Sequence, residues 1–207
     1  MSGYKFTCDW FSIRIPEIQT SISNLDTPPL KILEIGSWEG RSACWFLQNF
    51  PGAHLTCVDT WEGSVEHSPE SIVGIYDRFC HNVKVARVDD RVTAIKAPSE
   101  KALYGLTPES YDLIYVDGDH RAFAALRDII MTWGLLRPGG VMLIDDYGAE
   151  PHDSSDYLDL PRLAVDVFVQ LHEKQLQCLH QGYQVHLQKH AAPENTENTS
   201  TMVPPRS

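Results

Sequence analysis

Short apolar segments alternate along the chain with segments in which apolar residues recur at three- and four-residue spacing. The short segments are rich in β-branched residues and predict strands at 30–35, 54–59, 92–96, 111–117 and 141–144. The periodic segments predict amphipathic helices at 40–50, toward the end of 61–82, at 122–133 and at about 159–174. Two further apolar segments, 176–180 and 183–189, flank Gln181-Gly182 and predict a hairpin.

This order of elements predicts an α/β fold. Strands that alternate with helices are typical of a doubly wound parallel sheet covered on both faces. We expect a mostly parallel seven-stranded sheet in which the C-terminal hairpin is antiparallel. The strands and helices of this domain span residues 30–190, preceded by an N-terminal cap or leader helix at 1–29. Residues 191–207, rich in Asn, Thr, Ser and Pro, predict a disordered tail.

Composition narrows the class of protein. The chain has 207 residues, of which 43% are hydrophobic, and this suits one well-cored domain. A formal net charge of −11 disfavours nucleic acid as a partner. No segment reaches the roughly 18 apolar residues of a membrane span, and residues 1–12 lack the pattern of an export signal. The five cysteines are scattered and suit reduced thiols, so we expect a cytoplasmic protein.

A glycine-containing turn follows the first predicted strand. Ligands of such sheets bind at the carboxyl ends of the strands, where Gly36 and Gly40 allow a tight turn and a close approach of the backbone. Trp38 stands where the dinucleotide-binding fingerprint requires a glycine, so a pyrophosphate has little room. Asp59 ends the second strand 23 residues after Gly36, where an acid can accept the hydroxyls of a ribose. The two features favour a nucleoside ligand without a diphosphate; a packing turn and a surface acid are the alternatives.

These residues carry a resemblance to a known family. Glu34-x-Gly36-x-x-x-Gly40 followed by Asp59 resembles the first two motifs of class I S-adenosylmethionine-dependent methyltransferases. The resemblance extends over residues 6–189, through FTCDWFSIRIP, EIGSWEGRSACWFL, CVDTWEGSVEH, YDLIYVDGDH, LLRPGGVMLIDDY and GYQVHLQK. It is strongest to a group of small methyltransferases similar to the cation-dependent O-methyltransferases. It implies a Rossmann-like fold and S-adenosylmethionine as cofactor.

The resemblance also implies which residues contact the cofactor. These are Glu34, Gly36, Ser37, Gly40, Asp59, Thr60, Trp61, Ser99 and Asp117. Glu34 and Gly36 would lie against the methionine part, Asp59 would hold the ribose, and Trp61 would stack on the adenine unless it is an ordinary core tryptophan. Ser99 would contact the adenine edge, although the family usually has glycine at the position of Lys96 or Ala97.

Four acids follow the fourth and fifth strands: Asp117, Asp119, Asp145 and Asp146. If these strands are neighbours, their carboxyl ends bring like charges together, which is costly without a cation or a raised pKa. Carboxylate oxygens are ligands of Mg²⁺. The resemblance agrees, since cation-dependent O-methyltransferases have an acid at the position of Asp117 and Asp-Asp or Asp-Asn at 145–146. A magnesium site at Asp117, Asp145 and Asp146 is one hypothesis; an acidic rim that favours the sulfonium cation is the other.

His120 follows Asp117 on the loop that enters the next helix. A histidine can accept a proton from a hydroxyl at neutral pH, so we expect His120 or Asp119 to act as general base, with Asp117 beside them; a structural histidine is the alternative. The predicted activity is methyl transfer to a small-molecule acceptor, through O-methylation of a hydroxyl, with or without Mg²⁺. A catalytically idle binding protein and, less favoured, an NAD-dependent oxidoreductase are the competing hypotheses.

Two segments outside the sheet are candidates for acceptor selection. The aromatic leader at 4–11 would either cap the acceptor pocket or cover the base of the sheet, and the loop at 147–158 would form another rim. A homodimer is left open.

Overall fold

The predicted strands assemble into one seven-stranded sheet in the computed structural model, which describes residues 3–63, 69–150, 158 and 160–190. The strands are β1 (Lys31–Ile35), β2 (His54–Asp59), β3 (Val92–Lys96), β4 (Tyr111–Val116), β5 (Leu136–Ile144), β6 (Leu176–Gln181) and β7 (Val185–Lys189). Their order is β3-β2-β1-β4-β5-β7-β6. β1 to β5 run parallel, and β7 is antiparallel to both β5 and β6. The predicted fold class is confirmed.

Seven helices cover the sheet. They are α1 (Ile15–Ile22), α2 (Arg41–Asn49), α3 (Pro69–Ile72), α4 (Ile75–Val85), α5 (Ser99–Ala102), α6 (Ala122–Trp133) and α7 (Arg162–His172) among the residues described. The tail expected at 191–207, residues 151–157 of the expected rim loop and the helix start expected at Asp159 lie outside those residues. Within the described ranges, no helix has the length and apolar composition needed to cross a membrane.

The two faces of the sheet carry separate apolar cores. Successive side chains of a strand point to opposite faces, so in β4 Leu113 and Tyr115 pack toward α1, α2 and α4. Ile114 and Val116 pack toward α6 and α7 on the other face. Burial of both faces explains why the central strands read as continuous apolar segments rather than as alternating ones.

β5 begins five residues earlier than the sequence predicts. Pro138-Gly139-Gly140 indicated a chain break, but the residues lie inside the strand Leu136–Ile144. Gly139 has a φ of +77°, and a Cβ at Gly140 would lie 2.7 Å from Leu136 Cδ1 and 2.9 Å from the Arg137 carbonyl oxygen. The glycines therefore form a local irregularity in the strand, opposite a register shift between Tyr111 and Leu113 in β4.

The N-terminal segment contacts the turn after β1. Glu39, at the end of that turn, is buried and accepts hydrogen bonds from the backbone N–H (2.7 Å) and hydroxyl (2.8 Å) of Thr7. The Arg78 Nε lies 2.5 Å from the same carboxylate. Farther along, Ile18 and Ile22 of α1 are buried in the core on one face of the sheet. The leader thus contacts the turn after β1 and also covers part of the sheet.

Candidate active site

The turn after β1, residues 36–40, defines one side of the site and is called the glycine loop below. Gly36 has a φ of +81°, and its N–H donates to the Val58 carbonyl at 2.9 Å. A Cβ on Gly36 would lie 1.8 Å from the Asp117 carbonyl oxygen. The glycine loop therefore passes directly against the loop after β4, and only a residue without a side chain fits there.

Asp59 lies beneath the glycine loop. Its Oδ2 accepts hydrogen bonds from the backbone N–H groups of Ser37 and Trp38, both at 2.8 Å, and its Oδ1 accepts one from Trp61 at 2.7 Å. A carboxylate has about four acceptor sites, so three of them hold the backbone. Asp59 thus shapes the glycine loop, and its contact with a ribose stays a prediction.

Glu34, the last acid of β1, is fully buried. The Ser37 hydroxyl donates to its Oε2 at 2.5 Å, while its Oε1 has no hydrogen-bond partner among the described residues. Burial raises the pKa of Glu34 to about 7, because removal from water penalises the charged form. A buried acceptor without a partner is costly in a folded protein and marks a position where a ligand can donate.

The loops after β4 and β5 bring an acid–histidine cluster together, formed by Asp117, His120 and Asp146. The strands are paired with Val116 opposite Ile144, which sets their carboxyl ends side by side. His120 Nε2 lies 2.8 Å from Asp146 Oδ2 and 3.8 Å from Asp117 Oδ1. One ligand atom from each residue lies within 4.8 Å of the others, which is close enough for a shared metal ion.

The two carboxylates of this cluster titrate in opposite directions. Burial, and then the charge of Asp145, raise the pKa of Asp117 well above its ordinary value. Burial also acts to raise the pKa of Asp146, but the hydrogen bond and charge of His120 outweigh it, and the pKa is lowered. Asp146 has a φ of +57°, a strained conformation that places its carboxylate beside His120. The edge of the sheet therefore concentrates negative charge that a cation can stabilise.

Asp145 lies beside the acid–histidine cluster, and its carboxylate is hydrogen-bonded to three neighbours. Its Oδ2 accepts from the Tyr115 hydroxyl and, at 2.9 Å, from Gln184 Nε2, while its Oδ1 accepts from the Asp146 N–H at 2.8 Å. The residues that meet at a common point are Asp117, Asp146 and His120, whereas the sequence grouped Asp145 with the two aspartates. The sequence predicts His120 as a general base and does not predict it as a metal ligand.

Comparison with known proteins agrees with this geometry. A family model described as "Methyltransferase domain" matches residues 33–147, more than half of the chain. The chain belongs to this methyltransferase family. The match covers the glycine loop and both loops of the acid–histidine cluster.

Individual relatives are distant. O-methyltransferase hkm8 of Aspergillus hancockii is 30% identical over 122 residues, which are 59% of this chain and 44% of that protein. Uncharacterized protein R132 of Acanthamoeba polyphaga mimivirus is 25% identical over 142 residues, 66% of this chain and 60% of that protein. The chain thus spans about half the length of these relatives. The SAH-bound Podospora anserina methyltransferase PaMTH1 is similar in structure, with a TM-score of 0.62, 22% identity and coverage of 86% of this chain and 80% of that one.

Two residues expected to contact a cofactor lie within the packing of this methyltransferase domain. Trp61 is 5% exposed, packs its ring 4.9 Å from the Phe79 ring and donates its Nε1–H to the Trp38 carbonyl at 2.9 Å. This arrangement matches the alternative of a core tryptophan that supports the glycine loop. The Ser99 hydroxyl donates to Asp128 Oδ1 of α6 at 2.7 Å.

The other predicted residues of the methyltransferase domain lie at the edge or beside it. Thr60 directly follows Asp59, and its hydroxyl accepts the Glu62 N–H at 3.2 Å. Gly40 has a φ of +77° and packs against the Phe79 ring at the start of α2. Asp119 is paired with Arg121, whose hydrogen bond lowers the pKa of Asp119. A low pKa makes a carboxylate a weak base, so His120 is the stronger candidate.

Sequence reasoning missed three polar side chains of the site. Tyr115 and Gln184 hold Asp145, and the Tyr183 hydroxyl donates to Asp146 Oδ1 at 2.7 Å, while the Arg14 guanidinium stacks 3.8 Å from the centre of the Tyr183 ring. Tyr115, which brings a hydroxyl into the apolar end of the strand YDLIYV, is a signal in the sequence that could have indicated such a role.

A small cavity lies beside the acid–histidine cluster. Its volume is about 10 Å³, room for about one water molecule, and it is lined by residues 116–120 together with Asp145, Ile144 and Pro161, among others, but not by Asp146. A cavity of about 360 Å³ lies elsewhere, between the end of α1 and α2, against Leu25, Trp45 and Phe50. It lies away from the acid–histidine cluster, so its size does not make it the active site.

Proposed function

We propose that the chain is an S-adenosylmethionine-dependent methyltransferase that methylates a hydroxyl group of a small-molecule acceptor with the help of a divalent cation. The observation that carries the proposal is the contact between the glycine loop and the acid–histidine cluster, at Gly36 and Asp117. The name of the Aspergillus relative supports O-methylation, and the SAH bound to the Podospora protein supports the cofactor.

The polar groups at the glycine loop fit S-adenosylmethionine. Glu34 Oε1 has no hydrogen-bond partner in the part of the chain that the structure describes, and it would accept from the ammonium group of the methionine part. The remaining acceptor site of Asp59 suits a ribose hydroxyl. Ser37 and Thr60 flank these acids, and Gly36 and Gly40 let the glycine loop turn tightly against Asp117 and Phe79, which a side chain at either position would prevent. The bound cofactor supplies the methyl group on a sulfonium, a cation that an acid-rich edge stabilises.

The converging charges fit a divalent cation. Asp117 and Asp146 offer carboxylate oxygens of the type that Mg²⁺ binds, and the raised pKa of Asp117, caused first by burial and then by the charge of Asp145, supports a cation there. A bound cation would lower the pKa of the acceptor hydroxyl. Asp145 contributes charge, and its three hydrogen bonds orient it rather than leave it open.

His120 is proposed to take the proton from the acceptor hydroxyl. The carboxylates of Asp117 and Asp146 orient its ring, and an oriented imidazole is a common general base. Methyl transfer from a sulfonium is an in-line displacement, so the remaining task of the protein is to align acceptor and cofactor. We place the enzyme in the cytoplasm. Light scattering of the purified chain tests whether it forms a homodimer.

The test uses the full chain. Calorimetry with S-adenosylhomocysteine (SAH) and with NAD⁺ is expected to show binding of SAH alone. Transfer of a labelled methyl group to a panel of catechols is then measured with Mg²⁺ and with EDTA, and light scattering gives the oligomeric state. We expect Asp146→Asn to lose transfer but retain SAH binding, and Asp117→Asn to lose transfer and weaken SAH binding, while Asp77→Asn, an exposed change on α4, is unaffected.

Three outcomes contradict parts of the proposal. Absence of SAH binding contradicts the cofactor, and binding of NAD⁺ instead favours the oxidoreductase hypothesis. Transfer that is unchanged by EDTA contradicts the cation. SAH binding without transfer to any member of the panel favours the idle binding protein over a catechol methyltransferase.

A further inference from the structure

A buried row of hydrogen bonds links helix α1 to Asp145. The Ser21 hydroxyl lies 2.7 Å from His186 Nδ1, and His186 Nε2 lies 3.0 Å from Gln184 Oε1. Gln184 Nε2 then donates to Asp145 Oδ2 at 2.9 Å. Ser21, Gln184 and His186 are each 2% exposed or less. The row therefore crosses the protein interior without access to solvent.

The donors and acceptors of this row are determined by its end at Asp145. An ionised carboxylate only accepts, so the amide NH₂ of Gln184 must face it and the amide oxygen must face His186. That oxygen also only accepts, so His186 carries its proton on Nε2 and presents Nδ1 as an acceptor to the Ser21 hydroxyl. Burial lowers the pKa of His186 to about 3, which is consistent with a neutral ring.

The row meets the candidate active site at Gln184, where β7 begins beside the end of β5. Gln184 directly precedes β7, whose residue Val185 pairs with Ile144 at the end of β5. Asp145 follows Ile144 and donates its backbone N–H to the Val116 carbonyl, next to Asp117. A change in the orientation of the Asp145 carboxylate would therefore move charge beside the acid–histidine cluster.

We propose that Ser21, His186 and Gln184 are positioning residues that hold the Asp145 carboxylate, and with it a negative charge, in one orientation beside the acid–histidine cluster. The proposal rests on the proposed function, in which this edge of the sheet binds a divalent cation. Gln184 donates directly to Asp145, His186 holds the Gln184 amide oxygen through its Nε2–H, and Ser21 holds the His186 ring by donating to Nδ1. Residues that orient the ligands of a metal site commonly change metal affinity or activity by about 10–100-fold when they are replaced.

The first test examines the row in the unmodified protein. Nitrogen NMR of the chain labelled with ¹⁵N-histidine reports the tautomer of each ring, and the signal of His186 is assigned by its loss in His186→Phe. We expect His186 to be neutral at pH 7 with the proton on Nε2. A proton on Nδ1 instead would overturn the proposal, whether or not the protein is a methyltransferase.

The second test separates positioning from general stability with a matched pair of variants. Gln184→Leu removes the amide beside Asp145, and Gln188→Leu removes the same group from the same strand region, where Gln188 bonds the carbonyls of Asn24 and Gly139. Crystal structures of both variants are expected to show the Asp145 carboxylate rotated in Gln184→Leu only. An unrotated carboxylate in Gln184→Leu overturns the proposal.

Binding measurements complete the test. We expect Gln184→Leu to weaken Mn²⁺ binding, followed by electron paramagnetic resonance, by about tenfold, and to lower kcat with little change in the KM of S-adenosylmethionine. Ser21→Ala should have a smaller effect of the same kind, and Gln188→Leu none. Equal loss in both glutamine variants would indicate a merely structural role. If the wild-type protein does not bind Mn²⁺, the proposed cation fails, and the tautomer and the rotation of Asp145 still decide the positioning proposal.

Discussion

Replacement of Gly36 by alanine tests the contact on which the candidate site depends. The added Cβ would lie 1.8 Å from the Asp117 carbonyl oxygen, 2.6 Å from its carbonyl carbon and 3.0 Å from the Gly118 Cα. All three atoms belong to the backbone, so no rotation of a side chain relieves the clash. The loops after β1 and β4 must move apart, which stretches the 2.8 Å hydrogen bond from the Asp117 N–H to the Ile35 carbonyl.

The cost of this change can be assembled from its parts. A non-glycine residue at positive φ costs about 1–2 kcal/mol, the weakened hydrogen bond about 1 kcal/mol, and the overpacking about 1–3 kcal/mol. We expect the free energy of unfolding to fall by about 4 kcal/mol, which for a chain of this size lowers Tm by about 10 °C. SAH binding should weaken along with stability, because the glycine loop is displaced.

Urea unfolding followed by tryptophan fluorescence measures the first effect, and calorimetry with SAH measures the second. Gly105→Ala is the matched control, since a Cβ there meets no atom within 4 Å, and it should change stability by less than about 0.5 kcal/mol. If Gly36→Ala is as stable as Gly105→Ala and binds SAH equally well, the close approach of the two loops is refuted.

Three further predictions concern titration and catalysis. The pKa of Glu34 is raised to about 7, so the stability that its protonated form contributes is complete below the unfolded pKa and is lost as pH rises through 7. Glu34→Gln should flatten this decline in the free energy of unfolding, measured with urea. The same variant should weaken SAH binding by about tenfold. The pKa of His186 is lowered to about 3, so the unfolded chain binds more protons than the folded one between pH 6.5 and 3. The stability contributed by the neutral ring is therefore lost as pH falls through that range. Comparison of the unfolding free energies of the wild type and His186→Phe across this range measures the loss. His120→Gln should lower kcat by at least about 100-fold in the methyl-transfer assay, whereas Asp119→Asn, which removes a carboxylate already paired with Arg121, should keep most activity; equal losses would contradict the choice of base.

Local patterns of apolar and polar residues determined much of the fold without reference to long-range contacts. The alternation of apolar segments and helical periods predicted the parallel strands, the C-terminal hairpin and the loops at their carboxyl ends. The glycines at 36 and 40 and the acids at 59, 117 and 146 could be assigned to these loops, because strand ends and turn residues depend on neighbours in the sequence. The boundary of β5 could not, since its glycines act as an irregularity only when β4 lies beside it.

Tertiary structure decided which of these residues meet. Residues 117, 120, 146 and 184 are neighbours only because β7 pairs with β5 while β4 pairs with it on the other side. Packing against α4 buries Trp61 beneath the glycine loop, and the strand pairing brings Asp145 to Tyr115 and Gln184. The sequence therefore determined the fold and the edge of the sheet at which the candidate site lies. The partners of each side chain were set by strand register and burial, which depend on residues far apart along the chain.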